Sequence, residues 1–145
     1  MVRQRSRAYK LQLSKEGIQL LVRCHARLCR LATDLLPYGA TLFVAVELLR
    51  DYPAKDVAAE LLDPALQQFG GRNVRHVGTS PILSDVAESI TAQVCREEAL
   101  YPPPQLWKVF LVALVHMEDV EDQAVIRALH RTTEMTGRPT RRATH

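Results

Sequence analysis

Along most of the chain, apolar residues recur every three or four positions, and alternation with a period of two is rare, so the pattern predicts helices. Ser14 is placed to cap a first helix running from about Lys15 to Leu36, which Pro37-Tyr38-Gly39 ends. A second, strongly apolar helix is expected near 42–50 (LFVAVELLR). Pro53 suits the first turn of a third, with Val57, Leu61, Leu62, Leu66 and Phe69 inward, kinked or divided at Asp63-Pro64 and stopped by Gly70-Gly71. RNVRHVGT then reads as a loop, or at most one short strand. Ser80-Pro81 opens a fourth helix with the stripe Leu83, Val86, Ile90 and Val94, and Tyr101-Pro102-Pro103-Pro104 is a rigid connector. The segment 105–117 is apolar on all sides and is expected to be the central element. A last amphipathic helix carries Val125, Ile126 and Leu129. The predicted fold is all-α: a compact bundle of five or six helices around the apolar helix at 105–117. It divides into a basic arm at 1–13, one helical domain at 14–136 and a basic tail at 137–145.

On a wheel turning about 100° per residue, Ile18, Val22, His25, Cys29, Ala32 and Leu36 of the first helix share one side. Leu21, Leu28 and Leu35 adjoin them, followed by Leu20, Cys24 and Leu31, so the apolar arc spans half the helix. Both cysteines of the CHARLC segment and His25 fall within this arc and read as packing residues, while Arg23, Arg27 and Arg30 form the opposite ridge. Asp34 is spaced to pair with Arg30.

Charge adds a partition that hydropathy does not show. Residues 1–36 hold eight Lys/Arg against two Asp/Glu, residues 37–122 six against thirteen, and residues 123–145 five against one. The chain is basic, then acidic, then basic, as expected of arms that seek an anionic partner around an acidic body. Three cysteines do not make a disulfide framework, and the longest apolar run, VFLVALV at 109–115, is too short for a membrane span. These features predict an intracellular protein of the cytoplasm or nucleus.

Candidate chemistry is sparse. His25 and Cys29 have metal-ligand spacing, but no second ligand pair supports them. In HMEDVED, Glu118 and Asp122 are spaced as if one helical turn apart, beside His116 and Asp119, and also read as an acidic turn or helix start. GGRNVRHVG offers Arg72, Arg75 and His76 between glycines without a phosphate-loop pattern, and YPPPQLW has polyproline character. No nucleophile–base pair assembles from spacing, so no catalytic residue, metal or cofactor is assigned and the chain is expected to act by binding. The most coherent expectation is sequence-independent binding of nucleic acid, duplex RNA or DNA, through phosphate contacts by Arg3, Arg5, Arg7, Lys10, Arg23, Arg27, Arg30, Arg138, Arg141 and Arg142, with the chain as a homodimer. The alternative is a helical adaptor or regulatory module that binds a partner protein through an apolar groove or self-associating face, because the first, second and fifth helices carry surplus apolar surface.

Overall fold

A computed structural model describes residues 6–137. In chain order the elements are β1 (Arg7–Leu13), α1 (Lys15–Ala32), α2 (Tyr38–Leu48), α3 (Ala54–Leu62), β2 (Asn73–Thr79), α4 (Ile82–Glu98), α5 (Leu106–Asp119) and α6 (Asp122–Met135). Short 3-10 turns cover Leu49–Asp51 and Pro64–Phe69. The architecture is mostly helical, and no helix among the described residues is long and apolar enough to cross a membrane.

Two helices share the centre. α5 is buried from Val109 to Leu114, as its all-round hydrophobicity predicts. α2 lies beside it, with every residue from Thr41 to Leu48 buried. One of those residues is Glu47, 1 % exposed, whose two carboxylate oxygens each accept from an arginine at 2.7 Å, Arg50 on one and Arg131 of α6 on the other. The charge is therefore buried but fully paired.

Where a basic arm and a loop, or at most one short strand, were expected, there is a two-stranded antiparallel sheet, with the short strand at 73–79 and a second strand in place of the arm. β1 pairs with β2 in a register that sets Tyr9 opposite Val77, Lys10 opposite His76 and Leu11 opposite Arg75. The basic residues of RAYKLQL conceal a period of two: Tyr9, Leu11 and Leu13 are buried, and Lys10 between them is exposed. Tyr9 fixes the ribbon to the start of α4, because its hydroxyl donates to Ser80 O at 2.9 Å and accepts from Ser84 N at 3.1 Å. The part of the expected arm that is described is thus a strand with one face in the core. Residues 1–5 and 138–145 lie outside the described residues.

α1 starts where predicted, with Ser14 Oγ accepting from Gly17 N at 3.1 Å. It ends four residues early. Thr33 turns to φ 52°, and the last carbonyls are taken by Thr33 N and by Asp34 N, which donates to Cys29 O. Asp34 consequently does not meet Arg30; its Oδ1 accepts from Leu35 N at 2.8 Å.

Candidate functional site

Two of the three arginines on the α1 ridge, Arg23 and Arg27, reach across to the end of α5 and the start of α6. Arg23 forms a fork on Glu118, with Nε and Nη2 donating at 2.7 and 3.2 Å. Arg27 pairs with Asp122 at 2.8 Å and also donates to the carbonyls of Met117 and Val120 at 2.7 and 2.6 Å, closing the end of α5. The helix breaks at Val120 (φ −84°, ψ 156°), so Glu118 and Asp122 are not one helical turn apart and each takes its own arginine. Arg30 is exposed. Arg7 donates to Ser84 Oγ at 3.0 Å and lies over the Tyr9 ring, and Lys10 stands on the outer face of the ribbon opposite His76. Arg3, Arg5, Arg138, Arg141 and Arg142 fall outside the described residues. Of the three arginines of the ridge, Arg23 and Arg27 are thus paired with carboxylates and Arg30 is exposed.

CHARLC resolves into two environments. Cys24 is in the core, where its thiol contacts Leu114 O at 3.4 Å and burial pushes its pKa up to about 12. His25 and Cys29 are half-buried on the other side of α1. His25 Nδ1 shares a hydrogen bond of 2.8 Å with Thr41 Oγ1, its ring stacks on Tyr38 at 3.9 Å between centroids, and Nε2 is 3.6 Å from Cys29 Sγ. Burial lowers the pKa of His25 and so favours the neutral ring. Cys29 lies in the last turn of α1. Among the described residues no three His, Cys, Asp or Glu side chains come together as a ligand set. The His25 ring forms a wall against which Tyr38 packs beside α1.

That wall borders a groove. The half of the α1 arc that holds Leu20, Leu21, Cys24 and Leu28 is buried, whereas Ile18 is half-buried and Val22 is 45 % exposed. Tyr38 faces them, 43 % exposed, from the first turn of α2. Together with Leu13, Pro37 and Val77 these side chains line a groove of about 480 Å³, a size within the range of ligand and peptide pockets. Its lining includes no carboxylate, and its basic members are Arg75 and His76 of β2, both exposed. One end is closed where α2 meets β2: a Cβ on Gly39 would come within 2.1 Å of Gly78 O, so the backbones touch there without a side chain between them.

The helical wheel placed Ile18, Val22, His25 and Cys29 together but did not separate the buried half of the arc from the open half. Tyr38, Thr41 and the β2 residues of the groove had no signal in helical periodicity. Comparisons with protein-family models, with curated proteins and with solved structures found no match.

Proposed function

We propose that the chain is a protein-interaction module whose docking surface is the groove between α1, the start of α2 and β2. The observation that carries this reading is the exposure of Val22 and Tyr38 as facing apolar walls, outside a core that is already closed. Leu35, past the end of α1, is a further apolar side chain left 94 % exposed. The partner is a polypeptide segment that inserts apolar side chains between these walls and meets Arg75 with acid. The expectation of phosphate-backbone binding has less support, since Arg23 and Arg27 are already engaged by Glu118 and Asp122.

The test is selection of binders from a random linear-peptide library against the full chain, followed by titration of a selected peptide and of duplex RNA. A convergent family of peptides is expected, with binding reduced about tenfold or more by Val22→Asp at unchanged melting temperature. No convergence, or binding indifferent to Val22→Asp, would overturn the proposal. Duplex RNA that binds tightly and is lost with Arg30→Ala would return the site to the basic surface.

A further inference from the structure

β2 contributes four consecutive residues to the groove, Arg75 to Gly78. Successive side chains of a strand point to opposite faces, so a run of four neighbours lines a groove only along the strand's edge. The backbone shows which groups that edge carries. Gly71 N donates to Gln12 O, and Ser14 N to Phe69 O, on the side of β1 away from β2. Gln12 therefore points its backbone groups away from β2, and its pairing with Val74 is the non-hydrogen-bonded kind. By alternation the same holds for Lys10 with His76 and for Ala8 with Gly78.

Val74, His76 and Gly78 consequently direct their N–H and C=O groups outward, along the groove. Val74 O is taken by its neighbour, Arg75 Nη1, at 2.9 Å, and Gly78 O is covered by Gly39. The backbone groups of His76 have no backbone partner outside the ribbon among the described residues. An exposed edge with an apolar trough beside it is the geometry that accepts an added strand.

We infer that the partner docks as an extended acidic segment that pairs with the edge of β2 around His76 and places an apolar side chain between Val22 and Tyr38. This rests on the groove being the docking surface and adds the conformation and charge of what occupies it. Charge selects the occupant. The charged residue lining the groove is Arg75. A second copy paired edge to edge through β2 would bring a second Arg75 to the same edge. The chain's own ends, with Arg3 and Arg5 or Arg138, Arg141 and Arg142, have the same sign.

The peptides selected against the full chain provide the probe. They are expected to alternate apolar and acidic residues, and their binding should fall about tenfold or more with His76→Pro. That substitution removes an outward N–H and leaves the β1·β2 bonds intact, so the melting temperature should hold. Arg75→Glu should also weaken them. In the wild-type chain, the His76 amide should exchange more slowly when peptide is bound, a readout that does not require the proline variant to fold. Peptides with helical spacing of their apolar residues, binding that survives His76→Pro, or an unprotected His76 amide would each overturn strand addition. If such peptides still lose affinity with Val22→Asp, the groove remains the site and strand addition alone fails; if they do not, both fall.

Discussion

Arg27 and Asp122 are joined across the α5–α6 junction by one guanidinium: Nε and Nη2 both donate to Oδ1, at 3.0 and 2.8 Å. The same group also caps Met117 O and Val120 O, carbonyls that the end of α5 leaves without helical partners. A residue that reads as a surface charge in sequence is thus a structural clamp holding α1 to the α5–α6 turn.

Arg27→Ala is expected to cost about 2–3 kcal/mol in urea unfolding, because the carbonyls and a carboxylate lose their donor together. Arg23→Ala should cost no more than about 1 kcal/mol, as an exposed pair does. Arg27→Lys should recover little, since a single ammonium cannot reproduce the planar fork. Equal costs for Arg23→Ala and Arg27→Ala would contradict the clamp.

The Glu47 carboxylate should be among the most sensitive side chains in the protein. Glu47→Ala takes the carboxylate from both Arg50 and Arg131, leaving Arg131 only a 3.5 Å contact with exposed Asp51, and is expected to cost about 3 kcal/mol or more. Arg50→Ala should cost less, because Arg131 remains on the other oxygen. Pairing Glu47→Leu with Arg131→Leu should recover much of the loss, and a double-mutant cycle on unfolding free energies measures how much.

The helices were legible in the sequence where periodicity and punctuation agreed. Ser14 capped α1, the SP step at 80–81 preceded α4, and the apolar segment at 105–117 proved to be the buried α5. β1 was concealed because Arg7 and Lys10 invite a reading by charge, although Tyr9, Leu11 and Leu13 alternate as a half-buried strand must. β2 was harder to see: Val77 is its one buried residue, so its edge is visible only once β1 is paired with it. The ridge of α1 was correctly separated from the apolar arc. What periodicity lacked was any record of which element each face meets, so Glu118 and Asp122 across from the ridge were not anticipated.

Acid should destabilise the fold through its half-buried imidazoles. Burial lowers the pKa of His116, stacked on Tyr52 at 3.9 Å, with Asp119 offsetting part of the effect, and burial also lowers His25. The unfolded chain then binds protons first. Stability present above about pH 6.5 is lost as pH falls through that value toward the folded pKa values. His116→Phe keeps the stack and should reduce the drop in urea midpoint between about pH 7.5 and about pH 5.5. An unchanged drop would assign it to other groups.

Thiol chemistry should distinguish the cysteines. Cys24 is buried, with its thiol pKa pushed up to about 12, whereas Cys29 and Cys95 are half-buried. An aromatic disulfide reagent should label Cys29 and Cys95 in the native chain and reach Cys24 only in denaturant. Labelling of native Cys24 at a comparable rate would mean that the α1–α5 interface opens.

The most direct test of the groove as the docking surface is a backbone-amide NMR titration of the full chain with a peptide selected for binding. Shifts are predicted to concentrate on Ile18, Val22, His25, Tyr38 and the run from Arg75 to Gly78, with Arg23 and Arg27 unmoved. Shifts confined to Arg30 and the basic ends, or scattered without a centre, would contradict it.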